Sequence, residues 1–334
     1  MKKVKYSVLD LAVVTEGGTA KLAIERTVEL AQKAEDFGYE RVWLAEHHNM
    51  QYIASSATAV LIGHVASKTS TIRVGSGGIM LPNHSPLQIA EQFGTLETLY
   101  PNRIDLGVGR APGTDQQTAM ALRRNDMSSQ HHFPEDVKAL QRYFSAENSS
   151  SAVRAFPGEG LDVPLWILGS STDSAYLAAE FGLPYAFAAH FAPAQLKHAL
   201  YIYRHNFKPS KYLQAPKVMI CVNVIAADTQ AEAELLSMSL YQLFAGILTN
   251  SRKPLSPPIA NLTKDWSQDL LDAAHQMLRC TFIGNKENLK EQLTDFFDEF
   301  KPDEVMISGN IFDMEKRIRS YELISEVMNE LNAQ

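Results

Sequence analysis

Cysteine is nearly missing from this 334-residue chain, which has only Cys221 and Cys280. Two isolated thiols make neither a disulfide framework nor a spaced zinc motif, and a reducing compartment is the simpler reading. No apolar run approaches the ~20 residues that cross a membrane. The opening MKKVKYSVLDLA is basic like a secretion signal, but Asp10 interrupts its apolar run and no small-residue cleavage site follows. Basic clusters are scarce as well. None is larger than Arg123-Arg124, and 31 Lys and Arg face 38 Asp and Glu, for a net charge of −7. Nucleic acids and anionic membrane surfaces want a basic stripe, so neither is expected as a partner. There is no internal repeat, and low complexity stops at Ser149–Ser151. These absences leave a cytoplasmic, globular protein whose 45 % apolar content suffices for a core without staples.

What is present is an alternation of short β-rich runs with helical periods, the signature of βα units around a parallel sheet. Strands are expected at Val4–Leu9, Arg41–Leu44, Ile72–Gly75, Arg103–Val108, Val163–Leu168, Tyr185–Ala188, Lys217–Ala226 and Asp303–Ile307. Helices fall between them. Ala20–Phe37 carries Ile24, Val28, Ala31, Ala34 and Phe37 on one face and stops at Gly38. A later helix opens with Ser85 as N-cap, Pro86 at its first position and Gln88 completing a capping box. Eight strands favour a closed (β/α)8 TIM barrel over an open sheet, with residues 1–334 forming one domain. Two stretches break the alternation. Residues 250–265, with Pro254, Pro257 and Pro258, read as a long mobile loop. Leu289–Phe300 reads as a helix inserted before the last strand.

In such a barrel the chemistry sits at the carboxyl ends of the strands. Polar and glycine residues recur there: Glu46-His47-His48-Asn49, Gly75-Ser76-Gly77-Gly78, Gly107-Val108-Gly109-Arg110, Gly169-Ser170-Ser171, and Ala189-His190. Each has a plain structural alternative when taken alone. GVGRAPG is no dinucleotide fingerprint, because Pro112 stands in place of the third glycine and the run follows the fourth strand. Its glycines allow close backbone approach to a ligand, and Arg110 offers that ligand a fixed cation. Gly169-Ser170-Ser171 opens a helix, where free N–H groups bind phosphate, with Ser174 one turn on; Ser171 could equally be only an N-cap, and Asp173 opposes an anion. A metal site is not expected. Adjacent His47 and His48 point to opposite sides, and an alternating H-x-H is missing.

The runs Trp43-Leu44-Ala45-Glu46-His47-His48, Val74-Gly75-Ser76-Gly77-Gly78-Ile79-Met80-Leu81-Pro82 and Gly107-Val108-Gly109-Arg110 resemble the bacterial luciferase-like flavin monooxygenases. So do Leu168-Gly169-Ser170-Ser171, Ala178-Ala179-Glu180-Phe181-Gly182-Leu183-Pro184 and Thr281-Phe282-Ile283-Gly284. The resemblance spans the chain in family order and is nearest the single-chain branch. It implies a monooxygenase that uses FMN, reduced by a separate flavin reductase, and O2 to oxygenate a small organic substrate such as an aldehyde or another carbonyl. It places His47 as the acid–base group and Gly77-Gly78 as a cis peptide below the flavin ring. Gly109 and Arg110 fall at the ring edge or phosphate, with Gly169, Ser170, Ser171 and Ser174 at the phosphate turn. Gly109 replaces the reactive cysteine of light-emitting members, and His131 stands where a second phosphate-side arginine is expected. A homodimer is implied, and 250–265 matches a loop that closes over the flavin. Two alternatives stay open, a flavin-storage protein without turnover and a deazaflavin-dependent oxidoreductase.

Overall fold

The computed structural model describes residues 3–111, 113–123 and 132–333. Nine parallel strands follow in chain order: β1 Lys5–Asp10, β2 Arg41–Leu44, β3 Arg73–Met80, β4 Ile104–Gly109, β5 Leu165–Gly169, β6 Tyr185–Ala188, β7 Val218–Ala226, β8 Thr281–Gly284 and β9 Glu304–Ser308. Strands β1 to β7 pair in sequence, and β9 lies between β7 and β1, which closes an eight-stranded barrel. Strand β8 stays outside it. It extends the far half of β7, pairing Asn223 with Thr281 and Ala226 with Gly284. The eight barrel strands are the eight expected from sequence. The ninth had been seen only as a motif.

The helices form the outer layer. Ala20–Asp36 begins at Thr19, whose side chain accepts from the Leu22 amide, and the chain leaves it through Gly38 at φ +78°. The inserted helix runs Lys286–Phe300 from an Asn285 cap. Helix Pro86–Leu99 does start at Ser85 with Pro86, but Ser85 makes no capping bond, so the expected box is not formed. Helices Gln116–Arg123 and Gln268–Met277 were not anticipated. Leu30, Ile62, Phe93, Leu140, Leu200 and Ile324 all stand at 2 % exposure or less between barrel and helices, the main hydrophobic layer.

Inside the barrel the lower end is ionic. Arg41, at the start of β2, reaches Glu304 at 2.7 Å and Asp105 at 2.6 Å, and Arg73 closes on Asp105 at 2.6 Å. Above them Trp43 and Trp166 meet edge to face at 5.4 Å, packed among Leu9, Met219, Cys221 and Met306. Strands β3 and β4 approach so closely that a Cβ on Gly107 would fall 2.3 Å from the Ser76 carbonyl oxygen. Their register slips at Gly78, where Gly77 faces Gly107 and Ile79 faces Val108.

Segment 250–265 lies against the upper end. Leu255 is 4 % exposed and pairs with Thr15 in a parallel bridge, exchanging backbone bonds with Val14 and Glu16. Ser239 and Gln242 hold the Ser256 and Pro257 carbonyls. Both cysteines are buried and free. Among the described residues, no helix is long and apolar enough to cross a membrane.

Candidate active site

Strand β2 ends at Leu44, and Glu46, His47 and His48 continue past it with side chains alternating, as in an extended chain. Glu46 and His48 share one side. Glu46 is 1 % exposed; its Oε1 accepts from His48 Nε2 at 2.7 Å and His84 Nε2 at 2.8 Å, and its Oε2 accepts from the Met80 amide at 3.1 Å. Burial alone would raise this carboxyl, but the two imidazoles and the amide hold it down to about 2. Glu46, His48 and His84 are the one group with metal-capable spacing among the described residues. The carboxylate is already satisfied by three N–H donors, so the cluster reads as a brace joining the loops after β2 and β3. An E-x-H spacing, not the H-x-H sought in sequence, made it.

His47 turns the other way. Its backbone amide bonds to the Ser55 carbonyl, fixing the loop, while its Nδ1 is buried without a partner among the described residues. Burial first, then the Arg252 charge, push its pKa down to about 4. At pH 7 the ring is therefore neutral and fit to accept a proton. An acid-or-base role at neutral pH is best served by a pKa near 7, and His47 lies well below that. Arg252 comes from the 250–265 segment and donates to Met50 Sδ at 3.0 Å.

His190, after β6, is the counterpart of His47. Its Nδ1 is also buried with no partner among the described residues, and burial with the neighbouring His47 lowers its pKa to about 3. Asn223, 1 % exposed on β7, donates to the His190 carbonyl at 2.6 Å and to Thr281 Oγ1 at 3.2 Å, yet its Oδ1 has no donor. Each such orphan costs about 1–3 kcal/mol. Three at one end of the barrel mark a place where a polar ligand completes the bonding. Sequence reading left His190 without a role and passed over Asn223, although a single amide inside VMICVNVIA was a usable signal.

The Gly77–Gly78 bond is cis. A Cβ on Gly78 would fall 2.8 Å from the Gly107 carbonyl and 2.9 Å from Leu168 Cδ2, so that wall of the mouth is bare backbone by necessity. Gly109 differs, because a Cβ there would only touch Met80 Sδ at 3.5 Å. Arg110, exposed, donates to Asp173 Oδ2 at 2.9 Å. Ser171 sits at the N-cap of helix Thr172–Phe181 but makes no capping bond, and the Ser170 and Ser171 hydroxyls have no partner among the described residues. The Thr172 amide is met by Gln195. The hydroxyl of Ser174, which the resemblance puts at the phosphate turn, is bonded to the Ser171 carbonyl at 2.8 Å and to the Tyr185 hydroxyl at 3.0 Å. It builds the turn, and Gly169 is glycine because a Cβ would strike it. His131 lies outside the described residues. A cavity of about 720 Å³ opens beside Arg110, Asp173 and Ser174 and runs along the helix away from the mouth.

Comparison with known proteins agrees with this geometry. Residues 4–300 match the family model of the luciferase-like monooxygenases. The chain is 50 % identical to a luciferase-like monooxygenase of Escherichia coli (strain K12) over 330 residues, 99 % of this chain and 98 % of that one. It is 32 % identical to the N-acetyl-S-alkylcysteine monooxygenase of Bacillus subtilis (strain 168), covering 97 % and 98 %. The crystal structure of apo-MsnO8 superposes with a TM-score of 0.87 at 33 % identity, covering 98 % of each chain. This protein belongs to the luciferase-like monooxygenase family, and is an oxidoreductase of that flavin-dependent class.

Proposed function

We propose that the chain is the oxygenase half of a two-component system, taking reduced FMN from a separate flavin reductase and using O2 to oxygenate a small organic substrate. The observation that carries this reading is the neutral His47, its buried Nδ1 without a partner among the described residues, just past the end of β2, the strand that pairs with the β3 carrying the cis Gly77–Gly78. When bound, the flavin supplies the electrons that activate O2. The residues present fit FMN. Arg110 with the Ser170 and Ser171 hydroxyls, which have no partner among the described residues, suits one phosphate, with His131 the second phosphate-side group by resemblance. The bare backbone at Gly77, Gly78 and Gly109 leaves a flat wall for a ring, and Gly169 with Ser174 shapes the turn between them. His47 accepts a proton at Nδ1 during turnover. Segment 250–265 closes over the mouth and excludes water.

The likeness to an N-acetyl-S-alkylcysteine monooxygenase adds a thioether to the carbonyl compounds as a substrate to try. The chain works in the cytoplasm as a homodimer through the helices Thr58–Ala66 and Pro86–Leu99, which expose Val60 and Leu99. The test supplies a flavin reductase, NADH and ¹⁸O2 with aldehydes and N-acetyl-S-alkylcysteines. The expected result is label in product that depends on FMN, from a protein of dimeric mass in light scattering. Tighter FAD than FMN binding, NADPH oxidation without reductase, or flavin binding with no labelled product overturns the reading.

A further inference from the structure

Arg110 is the cation of the proposed phosphate site, and it is already covered. Asp173, in the first turn of the helix that follows β5, lays its carboxylate on the Arg110 guanidinium at 2.9 Å. The same face of that helix, read at i, i+3, i+4 and i+7, carries Asp173, Tyr176, Leu177 and Glu180, and all four line the 720 Å³ cavity. Its other cation, Lys208, is paired with Glu180 from that face. One helix face thus supplies a carboxylate to each cation of the cavity. The Ser170 and Ser171 hydroxyls beside it have no partner among the described residues.

The geometry points to Asp173 as an internal competitor for the flavin phosphate, a residue that lowers FMN affinity so that flavin is exchanged between turnovers. This rests on the reading of Arg110 as the phosphate cation. A dianionic phosphate reaching Arg110 has to take the place of a carboxylate and then tolerate it nearby. Both effects oppose binding and neither touches the ring. Because the pair is exposed on both sides, 52 % and 64 % of the two side chains, the penalty is modest and screened by salt. An affinity held down in this way suits an oxygenase that collects its flavin from another protein.

The experiment measures oxidised FMN and riboflavin binding by fluorescence quenching, and reduced FMN anaerobically, for the wild type and for Asp173→Asn, Asp173→Glu and Arg110→Met. Asp173→Asn is expected to tighten FMN by about three- to tenfold at low salt, with the gain fading by ~0.5 M salt. Riboflavin, which has no phosphate, should bind all variants alike, and Asp173→Glu, which keeps the charge, should stay near wild type. If Arg110→Met weakens FMN while Asp173→Asn leaves it unchanged, or moves riboflavin equally, Asp173 is not a competitor and the phosphate site survives. If Arg110→Met leaves FMN affinity unchanged, the phosphate reading falls and the competitor with it.

Discussion

Both ends of the barrel bury polar groups, and they do so in opposite ways. At the lower end Arg41, Arg73, Asp105 and Glu304 form a closed circuit in which each charge meets an opposite one within hydrogen-bond distance, with Ser7 and the Trp43 indole adding further donors. At the upper end His47 and His190 are half-buried and Asn223 is buried, yet each has a buried side-chain atom with no hydrogen-bond partner among the described residues. Taking polar groups out of water is costly in both places. Below, the cost is offset within the chain, so the arrangement serves the fold. Above, it is left for a ligand to offset, so the arrangement serves a site. Glu46 shows that the upper end can satisfy a group fully when its task is to brace loops.

The widest gap between the two ends should appear at His47. His47→Ala is expected to keep the barrel folded and FMN affinity within a few-fold, while turnover falls by about 10²–10⁴-fold. Its pH behaviour carries a sign. The unfolded chain binds a proton at this histidine below about 6.5, and the folded protein refuses it until about 4. Stability therefore declines as pH falls through that window, and His47→Ala should flatten the decline. The acid limb of turnover should sit near 4, with a level profile through neutrality. Turnover within a few-fold of wild type would show that the orphaned atom marks no catalytic group.

Arg41 tests the opposite end. Arg41→Met removes the cation shared by Glu304 and Asp105 and leaves the buried Glu304 carboxylate, among the described residues, with Ser7 alone, so unfolding in denaturant should show a loss of about 3–5 kcal/mol. Activity per folded molecule should hardly change, since nothing in this layer reaches the mouth. A stable Arg41→Met protein with lost turnover would reverse the assignment of the two ends.

Most of the architecture was readable because it repeats. Eight βα periods, each with an apolar strand, predict a barrel and place His47, Gly78, Arg110 and Ser170 at one end without any contact being known. What escaped reading depends on pairs distant in sequence. Arg41 and Glu304 look like ordinary strand boundaries until closure brings β2 and β9 to either side of β1. Glu46 and His84 are 38 residues apart. The cover on Arg110 needs Asp173 from the next strand's helix, and only closure of β4 on β5 puts it there. Single-residue properties such as the pKa of His47 follow from burial by the whole mouth and from Arg252, which no local pattern encodes.

The smallest effect should separate two kinds of serine within the same turn. Ser170 and Ser171 have hydroxyls with no partner among the described residues, whereas the Ser174 hydroxyl is bonded to Ser171 and Tyr185. Replacing a hydroxyl that spends nothing on the fold should cost no stability. Ser170→Ala and Ser171→Ala should therefore keep the thermal midpoint within a degree or so of wild type, and each should weaken FMN by about two- to tenfold, the net worth of one ordinary hydrogen bond in water. Riboflavin affinity should stay put. Ser174→Ala should show the reverse, a loss of about 1 kcal/mol in unfolding from the broken link to Tyr185 and little change in FMN affinity. Thermal melts and FMN titrations on the three variants read both quantities at once. If Ser174→Ala weakened FMN as much as Ser171→Ala at unchanged stability, a satisfied hydroxyl would be contributing as much as a free one. The orphaned groups would then no longer distinguish the binding end of the barrel from the structural one.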